Sequence, residues 1–100
     1  MPASSQVEVT RELDATHGRY VGKVAGHAGE AELTFVREPP NVFAADHTLT
    51  PVPLRHRRIA TQLVERLVAD ARREGFRIRP TCPFVVDLFD RHPEWSDLRA

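Results

Sequence analysis

Pro53-Leu54-Arg55-His56-Arg57-Arg58-Ile59-Ala60 runs directly into a stretch that ends at Gly75, and its reading decides the fold. Ile59, Leu63 and Leu67 recur four apart, and Ala60, Val64, Val68 and Ala71 widen the same face. That spacing predicts an amphipathic helix over Ile59–Glu74, with Gly75 just past its end. Glu65, Arg66, Asp70, Arg73 and Glu74 fall on the opposite, polar face. The start of this helix is anomalous. A helix N-terminus carries partial positive charge and free N–H groups, so it favours acids or neutral caps. Here it carries Arg55, His56, Arg57 and Arg58. Each cation there costs from a few tenths to about 1 kcal/mol when exposed. A bound anion reverses the sign, because N–H groups and guanidinium groups then converge on one negative group. The plain alternative is a solvated basic turn.

The sequence around the helix splits into short strands. Val7 and Val9 alternate with polar residues, and residues 1–5 read as a loose start. Asp14-Ala15-Thr16-His17-Gly18 reads as a turn, and Tyr20, Gly22 and Val24 as one face of a second strand. Gly26-His27-Ala28-Gly29-Glu30 is the best hairpin turn in the chain. Ala31, Leu33 and Phe35 form the apolar face of the next strand. Glu38-Pro39-Pro40-Asn41 breaks it, and Val42–Thr50 follows as a strand ended by Pro51 and Pro53. Beyond the helix, Phe76 and Ile78 alternate with Arg77 and Arg79 on a strand expected to reach Cys82. Pro83 suits the first turn of a second helix, with Phe84, Val85, Leu88 and Phe89 apolar and a stop before His92-Pro93. The order β-β-β-β-α-β-α predicts an α+β fold in one domain, residues 1–100. Five or six strands form a mixed, mostly antiparallel sheet with two main helices. Leu63, Val64, Leu67, Phe35 and Ile78 are expected in the core.

Composition excludes several classes. Hydrophobic residues make up 41% and charged residues 28%, as in ordinary globular proteins. Net charge is zero, which argues against nucleic acid as a partner. Residues 1–50 hold four Lys/Arg against seven Asp/Glu, and residues 51–100 ten against seven, so the basic excess lies in the half with the arginine turn. No apolar run nears the roughly 20 residues of a membrane span, and no signal peptide is read. One cysteine rules out an internal disulfide and fits a reducing compartment, so the cytoplasm is expected. The histidines and Cys82 lack metal-ligand spacing.

The motif set is similar to the GNAT superfamily of acetyl-CoA-dependent acetyltransferases, and most of all to its small single-domain branch. The branch pattern runs Asp-His-Thr, Val-Pro, Arg-Gly-x-Gly-Ile-Ala, Cys-Pro-Phe, then His-Pro-Glu-aromatic. This chain has Asp46-His47-Thr48, Val52-Pro53, Arg55-His56-Arg57-Arg58-Ile59-Ala60, Cys82-Pro83-Phe84 and His92-Pro93-Glu94-Trp95. His56 and Arg58 stand where the pattern has glycine. The resemblance implies that acetyl-CoA, or CoA, binds through Arg55, His56, Arg57, Arg58, Ile59 and Ala60, with Thr48, Leu49 and Phe84 as further contacts. It implies a pantetheine arm in a splayed gap between Val42–Thr50 and the strand ending near Cys82, with the thioester beside Cys82.

Two residues are candidates for the chemistry. Cys82 reads as a thiol beside the thioester, or plainly as a buried inert thiol. His47 is placed to take a proton from an amine acceptor, with Asp46 and Glu94 behind it. The amine, whether of a small molecule or a protein, is not specified by the sequence, and a monomer or weak dimer is expected. The alternative is a non-catalytic module on the same fold that binds another anion or an acidic protein.

Overall fold

The structure is a computed structural model that describes residues 7–55 and 57–100. The loose start expected at residues 1–5 lies outside the described residues. Strands β1 (Val7–Leu13), β2 (His17–Val24), β3 (Ala31–Glu38) and β4 (Val42–Leu49) follow one another. Helix α1 (Ile59–Glu74), strand β5 (Arg77–Pro80) and helix α2 (Pro83–Arg91) complete the chain, with short 3-10 turns at Val52–Leu54 and Pro93–Leu98. The five strands form one sheet in chain order, antiparallel throughout except for the parallel β4–β5 pair. The expected α+β class and mixed sheet are borne out. No described helix is long and apolar enough to cross a membrane.

Alternation explains the packing. Tyr20, Gly22 and Val24 on β2, and Ala31, Leu33 and Phe35 on β3, share the face covered by α1. All are buried, as are Ile59, Leu63, Val64, Leu67 and Val68 on the helix. Truncating a buried leucine such as Leu63 costs about 2–5 kcal/mol. Gly22 is required by close approach: a Cβ there would lie 2.8 Å from Ile59 Cγ2. Phe35, Phe43 and Phe76 stack in sequence, with ring centroids 4.4 and 3.9 Å apart. Trp95 is buried against Phe89 and His92, which ties the C-terminal turn to α2.

Three local expectations need correction. β2 starts at His17, so the preceding turn is shorter than the composition suggests. β5 stops at Pro80, and Cys82 is therefore not on a strand face with Phe76 and Ile78; it caps the start of α2. Proline has no N–H to continue a ladder, and the next two amides turn onto a β4 carbonyl instead. Asp70 is not on a solvated face. It is fully buried and accepts hydrogen bonds from the Tyr20 hydroxyl (2.8 Å), Arg66 (3.3 Å), Arg11 (3.3 Å) and Arg73. Burial alone would raise its carboxyl pKa, but the Tyr20 hydroxyl and Arg73 outweigh that and hold it below the ordinary value. The Tyr20 phenol is pushed up by burial and by Asp70.

Candidate functional site

The entry to α1 is built by a turn that strains one residue. Pro51 stops β4, and Leu54 N–H donates to Pro51 O (2.8 Å), closing the 3-10 turn over a buried Leu54 side chain. Arg58 then adopts φ 58°, ψ 27°, the left-handed conformation. It is the only non-glycine residue with positive φ among the described residues. A side chain in that region costs about 1–2 kcal/mol, whereas glycine tolerates it freely. The backbone thus takes a glycine shape at one of the two positions where the motif has glycine. The first helical bond is Gln62 N–H to Arg58 O (3.1 Å). Ile59, Ala60 and Thr61 therefore begin the helix with N–H groups that no side chain caps, and no acid occupies the first turn.

The arginines at this turn have no carboxylate partners among the described residues. Arg55 Nε donates to Thr50 O (3.1 Å), and Arg57 Nη2 lies 2.9 Å from His27 Nε2. All three guanidinium-bearing residues, Arg55, Arg57 and Arg58, are exposed. A groove of about 280 Å³ opens beside them, lined by Thr50, Leu54, Arg55, Arg58, Ile59, Ala60, Thr61 and Phe84. Its lining combines two arginines with the apolar Leu54, Ile59 and Phe84. Such a groove suits an anion joined to an uncharged arm.

The sheet opens next to this groove. β4 and β5 pair from Val42↔Arg77 to Ala45↔Pro80 and no further. The Ala45 carbonyl then accepts three hydrogen bonds, from the amides of Thr81 and Cys82 and from the Thr81 hydroxyl, each at 3.0 Å. On the other side of β4 the register to β3 slips: Phe35 faces Ala45, but Thr34 faces His47. Asp46 is the extra residue of this bulge, and its carboxylate accepts from the Thr34 hydroxyl (2.7 Å). β4 continues to Leu49, so four residues run on without a β5 partner. After the bulge, Thr48 pairs with the buried Leu33, and His47 and Leu49 point to the other face. Thr48 Oγ1 and Cys82 Sγ meet at 3.6 Å across the opening. Cys82 is 8% exposed.

The residues singled out from sequence fall into groups. Arg55, Arg58, Ile59, Ala60 and Phe84 line the groove together. Thr48 and Cys82 face each other across the opening. His47 and Leu49 are exposed on the opposite face, with Asp46 beside them. Glu94 is elsewhere: it bonds His92 Nδ1 (2.8 Å), near Arg72 and the far end of α1. His56 lies outside the described residues. Sequence reasoning missed His27, which it read only as part of a turn, and the groove residues Thr50, Leu54 and Thr61. No local pattern signals a contact between residues 30 positions apart. Among the described residues no three His, Cys, Asp or Glu side chains gather as a metal site.

The sequence model of the GCN5-related N-acetyl-transferase family matches residues 19–98, from within β2 through the C-terminal turn. No curated protein matches the chain at a significant level.

Proposed function

Because this chain belongs to the GCN5-related N-acetyltransferase family, we propose that it transfers an acetyl group from acetyl-CoA to an amine. The observation that carries this reading is the unpaired end of β4, open beside a cationic helix start. Arg55, Arg57, Arg58 and the free amides at the start of α1 hold the pyrophosphate, because charge-assisted contacts and the helix dipole add there. Leu54, Ile59 and Phe84 supply apolar surface for the uncharged arm. Backbone groups of Thr48 and Leu49 offer it an edge, as an added strand would find. Thr48 and Cys82 line the place of the thioester.

The amine approaches from the face that carries His47. Its nitrogen attacks the thioester carbonyl, and β4 amides polarise the carbonyl oxygen as charge develops. His47 takes the proton lost by the amine, directly or through water. The C–S bond breaks, and the departing thiolate regains a proton from solvent or from the Thr48 and Cys82 pair. Products are the acetamide and CoA. Orientation supplies much of the rate, since a held thioester and amine react as one molecule.

A second reading keeps the binding and drops the chemistry. It is favoured by the side chains at His56 and Arg58, which stand where the motif has glycine, and takes another anion or an acidic protein as ligand. Isothermal calorimetry with CoA and acetyl-CoA, followed by acetyl-CoA consumption over an amine panel, separates the two. The enzyme reading expects binding of both, weakened about tenfold or more by Arg55→Ala, and acetamide formation. No binding at millimolar ligand, with none created by Arg58→Gly, overturns it.

A further inference from the structure

The hairpin between β2 and β3 reaches the arginine turn through one side chain. Val24 O accepts from His27 N–H (3.1 Å), and Gly26 at φ 82° completes the tight turn. Gly29, also at positive φ, lies beside Pro51; a Cβ there would meet its ring at 3.7 Å. The hairpin is thus packed against the segment that opens the arginine turn. His27 Nδ1 lies 3.3 Å from Ala25 O, and its Nε2 lies 2.9 Å from Arg57 Nη2. These two contacts fix the tautomer. A carbonyl only accepts, so Nδ1 carries the hydrogen; a guanidinium only donates, so Nε2 offers its lone pair.

We propose that His27 is a positioning residue for anion binding at the start of α1: it holds Arg57 in place before the ligand arrives. Arg57 is exposed and has no carboxylate partner among the described residues. A free arginine side chain carries about 2 kcal/mol of rotamer entropy, part of which a ligand must remove. The bond to His27 removes part of it in advance and uses one of five N–H donors. The other four stay available to phosphate oxygens. Preorganisation of this kind raises affinity without adding a contact to the ligand. The β2–β3 hairpin, more than 25 residues upstream of the turn, thereby becomes a third wall of the site. This inference rests on reading the turn as the anion site of acetyl-CoA.

The test is a double-mutant cycle on the full chain, read as the dissociation constants of CoA and of inorganic pyrophosphate. His27→Ala is expected to weaken both about three- to tenfold. In the Arg57→Ala background the same change should have no further effect, since the group it positions is gone. His27→Gln, which restores an acceptor, should recover most of the loss. Nitrogen NMR of the imidazole in the ligand-free protein should show hydrogen on Nδ1, and Arg57→Ala, which leaves only the Ala25 carbonyl contact, should weaken that preference. Equal losses with and without Arg57, unchanged affinity in His27→Ala, or hydrogen on Nε2 overturns the proposal. If the cycle holds for pyrophosphate while CoA does not bind, the positioning role stands and the acetyl-CoA reading falls. If neither probe binds, both fall.

Discussion

Helix α1 carries arginines at both ends, and the two ends treat them differently. From its middle to its C-terminal end, Arg66 and Arg73 join Arg11 of β1 around the buried Asp70, and Gly75 closes the helix at φ 82°. At its N-terminal turn, Arg55, Arg57 and Arg58 have a carbonyl and an imidazole as partners, and Arg58 carries the left-handed strain itself. The first cluster is complete without any ligand. The second leaves most of its donors in water, at the end of the helix where the dipole disfavours cations. On the proposed function, one residue type therefore serves cohesion at one end and recognition at the other. What separates them is whether a carboxylate was supplied from within the chain.

The largest effect should come from removing that carboxylate. Asp70→Ala leaves the buried Tyr20 hydroxyl and three guanidinium groups without their shared acceptor, and should cost about 1–3 kcal/mol in urea unfolding, most of it from the hydroxyl, since the arginines can turn to water. The pH dependence has a definite sign. A carboxyl whose folded pKa is depressed contributes stability above its ordinary unfolded value of 3.8, and loses it as pH falls through the lower folded value. The gap between wild type and Asp70→Asn should therefore be widest near neutral pH and narrow below about pH 4. A gap that stays constant down to pH 2 would mean that the carboxylate charge is not what Tyr20 and the arginines hold.

Arg58→Gly should act at the other end with a smaller and mixed result. Relief of the left-handed side chain should stabilise the fold by about 1 kcal/mol. The backbone already has the glycine shape, so no new cradle forms, while one guanidinium is lost. CoA affinity should fall severalfold even as the melting temperature rises. Tighter binding would show instead that the side chain obstructs the ligand.

The smallest effect concerns the opening in the sheet. CoA should slow labelling of Cys82 by a thiol reagent, since Thr48 and Cys82 face one another there. Identical labelling rates with and without saturating CoA would separate Cys82 from the site.

The same contrast explains what was legible in the sequence. Periodic stretches announced themselves: the Ile59/Leu63/Leu67 face and the Ala31/Leu33/Phe35 face are buried as their spacing predicts. Basic residues at a helix start were legible as an anomaly, because the rule they break is local. Asp70 was not. Its position on the helix looks solvated, and only Tyr20, 50 residues away, and the arginines make its burial tolerable. The bulge at Asp46 and the early stop at Pro80 escaped for a related reason. Both depend on which strand lies alongside, and neither leaves a mark in the residues themselves beyond a proline. His27 is the sharpest case, since a hairpin turn gives no sign of what its tip will touch.

The Ala45 carbonyl has one more consequence. Three donors converge on that oxygen at the fork where β5 leaves β4. These bonds, with the bulge on the other side of β4, hold the fork in its splayed shape from within the chain. On the proposed function, the uncharged arm of acetyl-CoA would then enter with no described segment swinging aside. Association would then be set by diffusion and by the pull of the arginines, and discrimination between ligands would fall to how long each one stays.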